Sequence, residues 1–237
     1  MSLSSRAPLA LLLTLVACSQ PLRPDPVGGP VPLDCAVSAS LTESAAAVPL
    51  AQRGYVVSRD SDELTVLDLT TFEVIGRLRT CSGGAHMAEL SRDFARVFLA
   101  APQKNEVVAV DARTLAVEAR IPVGGAPGHA SMSADGRHLA VMNEASSSVS
   151  FVDPVRNVEV RRVEGFYAPH FARFSRDGRY AFVANLAAHH ISRVDLRSYA
   201  IDQEIPLDGF GLPPATPLLE DEDGFADVQI DEDGLLY

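Results

Sequence analysis

The sequence has no tryptophan, one lysine (Lys104), three cysteines and only 6% aromatic residues. Positive charge is scarce: Lys and Arg total 20 against 31 Asp and Glu, a net charge of −11. That balance excludes the basic stripe a nucleic-acid binder needs to displace counterions from phosphates. Three cysteines are too few for a disulfide-rich mini-scaffold. No Cys-x-x-Cys-His occurs, so covalent c-type haem attachment is excluded. Gly-x-Ser-x-Gly, His-Glu-x-x-His and phosphate-loop patterns are also missing, and no motif points to a hydrolase or nucleotide enzyme. What is present is apolar material, 47% of 237 residues, which excludes a disordered chain.

The first segment reads as an address. Arg6 supplies a positive start, and Leu9 to Val16 is an apolar run far shorter than the ~20 residues that span a bilayer. Residues 1–17 are therefore expected to be a signal peptide. Leu15-Val16-Ala17-Cys18 resembles the lipobox of bacterial lipoproteins. The resemblance implies cleavage before Cys18, lipidation of Cys18, a membrane anchor of two or more acyl chains and a periplasm-facing location in the cell envelope. Ser19 rather than Asp after the cysteine implies the outer membrane in a Gram-negative host. The other reading is an ordinary secretory signal with a coincidental cysteine. Residues 18–45, rich in Pro and Gly at their start, are expected to be a tether. Cys35 and Cys81 then remain, either joined in a disulfide or as two free thiols.

Beyond residue 46 the chain repeats. Asp68, Asp111, Asp153 and Asp195 each end an apolar stretch, at spacings of 43, 42 and 42. Ser91, Ser133 and Ser175 are independently spaced by 42 and 42. The last copy reads as a strand over 170–175, a tight turn at Arg176-Asp177-Gly178, and strands over 179–185, 191–196 and 200–207, with a loop at 186–190. Asp-Gly supplies positive φ at low cost, which favours the hairpin. No helix-period stretch intervenes. Four antiparallel strands in ~40–45 residues is the period of a β-propeller blade. The expected fold is all-β: four full four-stranded blades plus the start of a fifth at Leu235-Leu236-Tyr237. A seven- or eight-bladed ring would need a further ~100–150 residues at that period.

The run from Phe174 to Leu196, with Phe182-Val183-Ala184-Asn185 at its signature strand, resembles the YVTN-type bacterial β-propeller repeat. It is also similar to the propellers of cytochrome cd1 nitrite reductase and of the lipoprotein family that assists d1-haem assembly. This resemblance implies a d1-type haem as ligand, and a role in cofactor assembly or carriage.

The six histidines carry the functional signal of the residues themselves. His86 and His170 share one register, each seven residues before a hairpin Asp; Gly128 holds it in the copy between, with His129 one residue on. The start of an innermost strand opens on the face bearing the second-to-third loops. His86, His129 and His170 are thus expected at the channel mouth, with His189 and His190 on the same face. His138 begins a second strand and belongs to the opposite face. Imidazole is a common neutral transition-metal ligand. The set could bind a tetrapyrrole iron, or copper or zinc, with His86 and His170 as first candidates. Arg173, on an innermost strand, is the candidate for pairing tetrapyrrole carboxylates, ahead of Arg193 on a third strand.

Two further features remain. The spacing from Asp177 to Asp233 is 56, placing extra residues near 210–223. Asp221-Glu222-Asp223-Gly224 with Asp227 faintly resembles a calcium loop. The alternative to a ligand-binding propeller is a non-enzymatic envelope scaffold whose face holds a protein or glycan partner.

Overall fold

The computed structural model describes residues 35–206 and 227–229. The signal peptide, Cys18, the tether up to residue 34, the 210–223 segment and Leu235 to Tyr237 lie outside the described residues. Sixteen strands form four separate four-stranded antiparallel sheets. Three follow the sequence in order. The second blade is β5 (Met87–Leu90), β6 (Arg96–Ala101), β7 (Glu106–Asp111) and β8 (Val117–Pro122). The third is β9 (Pro127–Met132), β10 (Leu139–Asn143), β11 (Ser148–Asp153) and β12 (Val158–Glu164). The fourth is β13 (Pro169–Phe174), β14 (Tyr180–Asn185), β15 (His190–Asp195) and β16 (Ala200–Pro206). Among the described residues no helix is long and apolar enough to cross a membrane.

The first blade is assembled differently. It holds β1 (Ser38–Leu41), β2 (Arg53–Ser58), β3 (Glu63–Asp68) and β4 (Val74–Arg79) in the order β1-β4-β3-β2. Its fourth strand is added on the outside, where β1 pairs with β4 from Ser38↔Arg79 to Leu41↔Gly76. The expected tether over 18–45 therefore gives way to a strand before its end. A disulfide between Cys35 and Cys81, with Cα atoms 5.8 Å apart, fixes the start of β1 to the end of β4.

Both sequence rulers have a hydrogen-bond cause. In each hairpin the serine hydroxyl donates to the aspartate two residues on: Ser91 to Asp93, Ser133 to Asp135, Ser175 to Asp177, at 2.6–2.7 Å. It also accepts from the backbone N–H of Arg96, His138 or Tyr180 at 2.9 Å. Gly136 and Gly178 take the positive φ, 70° and 69°, that these turns require. At the end of each third strand Asp68, Asp111, Asp153 and Asp195 accept from the backbone N–H two residues on, at 2.8–2.9 Å. This Asx turn replaces the backbone bonds the ladder loses there.

The core lies in the seams between blades. Central strands are buried on both faces, which is why β6 reads Val-Phe-Leu-Ala-Ala without alternation. Val97, Leu99 and Ala101 pack toward Leu64, Val66, Ile75 and Leu78 of the first blade, while Phe98 packs with Ala130, Leu139 and Val141 of the third. Leu115, in the turn between β7 and β8, is fully buried against the first blade. Its counterpart one repeat earlier, Phe72, is 73% exposed, because among the described residues no blade precedes the first. Val56 and Val74 are exposed for the same reason. At the other end Val228 is buried with Ala184 and Ile191 of the fourth blade.

Candidate functional site at a histidine cluster

Three of the predicted histidines meet. The rings of His129 and His170 lie 3.9 Å apart between centroids, and His86 meets His129 edge-on at 5.3 Å. They come from three consecutive blades, each from the entrance of an innermost strand. His86 is exposed, while His129 and His170 are half-buried. The backbone explains how they converge. In β9 the register passes from Met142↔His129 to Asn143↔Pro127, leaving Gly128 as an unpaired extra residue. In β13 it passes from Phe171↔Ala184 to Pro169↔Asn185, leaving His170 in the same position. Such bulges re-aim side chains. His129 and His170 stand one register apart and meet across the seam between the third and fourth blades.

A carboxylate that the sequence reading did not single out joins them. Glu144 follows β10, on the second-to-third loop of the third blade, and its Oε1 lies 3.5 Å from His129 Nδ1. One ligand atom each from His129, Glu144 and His170 fall within 4.8 Å of one another. Gly128 makes room for it: a Cβ there would collide with Glu144 Oε1. The loop is held by Asn143, whose side-chain amide donates to Ser148 Oγ (3.2 Å) and Ser150 Oγ (2.9 Å). Glu144 was legible in principle, as a charged residue directly after a second strand where the neighbouring copies carry Pro102 and Leu186.

The electrostatics are those of one carboxylate among imidazoles. Burial pushes the Glu144 carboxyl up, but the close approach of His129 and the nearby His170 and His86 outweigh it, so the net shift is downward. His86 is lowered, first by lost hydration, then by repulsion from His129 and Arg59. A lowered His86 is neutral at pH 7, the form that donates a lone pair to a metal.

The other candidates make different contacts. His190 is the first residue of β15 rather than the end of a loop, and it is fully buried. It packs edge-on against Tyr167 at 5.6 Å and lies 3.9 Å from Glu204 of β16. His189 is buried beside it. Arg173 lies on β13 as expected, with its guanidinium 4.1 Å above the Phe171 ring. Its Nε donates to Gln229 Oε1 at 3.4 Å, and Asp227 is 3.9 Å away. Burial lowers Arg173, and Asp227 and Glu89 oppose that shift. Arg193 is paired with Asp202 at 2.9 Å. His138 sits against Tyr199, at 6.2 Å between ring centroids and away from the cluster.

Sequence reasoning also missed the anchor of the loop that carries His86 into β5. Asp62 accepts from the hydroxyls of Thr80 and Ser82 and from the N–H groups of Ser82 and Gly84, at 2.8–3.0 Å. Lys104 Nζ donates to the Cys81 carbonyl at 2.6 Å. These bonds and the disulfide fix the loop that delivers His86.

The four blades and the histidine cluster define a β-propeller whose innermost strands present imidazoles where they begin. A family model, the YNCE-like beta-propeller, matches residues 85–207. The chain belongs to that family. No curated protein matches it. Among solved structures, hydrazine synthase of Kuenenia stuttgartiensis is similar with a TM-score of 0.61 and 18% identity, over 66% of this chain and 46% of that one. The dihydro-heme d1 dehydrogenase NirN, solved in complex with DHE, aligns at a TM-score of 0.49 and 17% identity, over 68% of this chain and 46% of that one. The chain thus spans a little under half the length of either. At these identities the likeness to hydrazine synthase is one of fold.

Proposed function

We propose that this chain is a lipid-anchored propeller of the cell envelope that binds a metal-containing ligand at its histidine-lined channel mouth. The observation that carries the reading is the convergence of His86, His129 and His170 from three consecutive blades. Imidazoles that converge from three blades put several lone-pair donors in one place, which is what a metal-containing ligand needs. The Cys35–Cys81 disulfide supports an oxidising compartment, the destination that the signal peptide at 1–17 would give. Cys18 is the proposed lipidation site.

The d1-type haem implied by resemblance fits only in part. An iron tetrapyrrole with two axial imidazoles sets their nitrogens ~4 Å apart on opposite sides of the plane, from iron–nitrogen bonds of ~2 Å. Imidazole centroids 3.9 Å apart leave no room for a macrocycle between them. One imidazole at the mouth could serve a tetrapyrrole as an axial ligand. Arg173 already has Asp227, Gln229 and the Phe171 ring as partners. The scaffold reading draws its support from Val155, Val158 and Val160, which are 71%, 40% and 42% exposed at the outer side of the third blade.

The test is titration of the purified protein with haemin and with copper(II), followed by absorption and elemental analysis. A Soret shift or a stoichiometric copper signal that is lost in His170→Ala supports the reading. No spectral change and no bound metal overturn it. Palmitate labelling that is lost in Cys18→Ser tests the anchor.

A further inference from the structure

Three imidazoles and one carboxylate gather where the innermost strands of three consecutive blades begin. His129 Nδ1 and Glu144 Oε1 are 3.5 Å apart. That is close to the ~3.3–3.5 Å between two donors of a tetrahedral ion with bonds of ~2.0–2.2 Å. His170 brings its donor to within 4.8 Å of both. We propose that His129, His170 and Glu144 bind one divalent transition-metal ion across the seam between the third and fourth blades. This rests on the reading of the mouth as a ligand site and narrows the ligand to a bare ion.

Three features favour such an ion. Two imidazoles and a carboxylate suit zinc or copper, whereas calcium and magnesium take oxygen donors almost exclusively. Gly128 stands where the neighbouring copies have His86 and His170, and its missing Cβ is what admits the Glu144 carboxylate beside His129. The donors come from two blades, His129 and Glu144 from the third and His170 from the fourth, so small motions at the seam close the remaining gap without refolding a strand. His86 stands on the exposed side, 5.3 Å from His129 between ring centroids. It is placed to flank a fourth coordination position that stays open to the channel mouth, as in sites where zinc keeps three protein ligands.

The experiment is calorimetric titration of the chelator-treated protein with zinc(II) and with copper(II), alongside a haemin titration followed at the Soret band. The variants are Glu144→Gln, Gly128→Ala and the double change His129→Ala/His170→Ala, with circular dichroism confirming that each is folded. The expected result is one ion per chain. Affinity should fall at least about tenfold in Glu144→Gln and in Gly128→Ala, and stoichiometric binding should be lost in the double variant. Metal binding that is unchanged in Glu144→Gln and in the double variant overturns the site. Haemin binding without zinc or copper binding overturns the bare ion while leaving the parent reading standing. Failure to bind either ligand overturns both. If the double variant does not fold, Glu144→Gln and Gly128→Ala decide the matter.

Discussion

Breaking the bond between Cys35 and Cys81 should destabilise the propeller more than any surface change. The disulfide closes a loop with a sequence separation of 46. Removing that constraint from the unfolded chain costs about 4 kcal/mol in the chain-entropy picture. For a domain of this size such a loss corresponds to a fall in Tm of roughly 8–16 °C. The full value applies if the first blade unfolds together with the rest. β1 is a short, exposed strand held to β4 by four residue pairs, so it can also fray on its own. Fraying would take up part of the cost as local opening, seen as faster hydrogen exchange at Ser38 to Leu41. Thermal melts of wild type with and without reductant, and of the double change Cys35→Ser/Cys81→Ser, measure the global part. Reductant should lower the wild-type Tm to that of the double variant and leave the variant unmoved. A wild-type shift under about 2 °C, with β1 exchange unchanged, would refute the entropy argument for this bond.

Two further outcomes follow from burial. Glu89, on β5, accepts from the Met132 N–H at 3.0 Å, and burial raises its carboxyl from 4.5 to about 6. The folded state therefore holds this proton more tightly than the unfolded chain. The group costs nothing below pH ~4.5, and its cost is complete above pH ~6, at up to ~2 kcal/mol and less where solvent screens it. Urea melts should show Glu89→Gln more stable than wild type at pH 7.5 and level with it at pH 4; parallel pH profiles for the two proteins would refute this. Leu115→Ala should cost roughly 2–4 kcal/mol because the side chain is fully buried against the first blade. Phe72→Ala, at the same repeat position but 73% exposed, should cost under ~1 kcal/mol. Equal costs in denaturant midpoints would mean that the rear of the first blade is covered.

How much of this was legible depends on whether the cause is local. The Asp and Ser rulers could be read because each marks a turn made by side chain and backbone atoms two to five residues apart. The edges of β13 to β16 fell within a residue or so of expectation for the same reason. β1 was not legible: Ser-Ala-Ser-Leu has little apolar alternation, and its partner β4 lies nearly forty residues away. That His86, His129 and His170 stand at the beginnings of innermost strands follows from repeat register. Their contact across the seam does not, because it depends on bulges at Gly128 and His170 that simple alternation hides. The burial of His189 and His190 was not legible from their place at the end of a loop. They are buried, with His190 turned to Tyr167 and Glu204, because which side a loop-end residue faces is decided by packing. Arg53 is a similar case. Its guanidinium is buried and donates to the carbonyls of Val48, Ala112 and Ala45 at 2.6–3.2 Å, joining the first two blades, and nothing in its sequence neighbourhood distinguishes it from a solvated arginine.

The most direct test of the mouth as a metal-binding site is the anomalous difference density of crystals grown with zinc, recorded at the zinc absorption edge. The account predicts one strong peak within bonding distance of His129, His170 and Glu144, at ~2.0–2.2 Å from each donor. No peak between the third and fourth blades, or a sole peak at surface carboxylates, would contradict it.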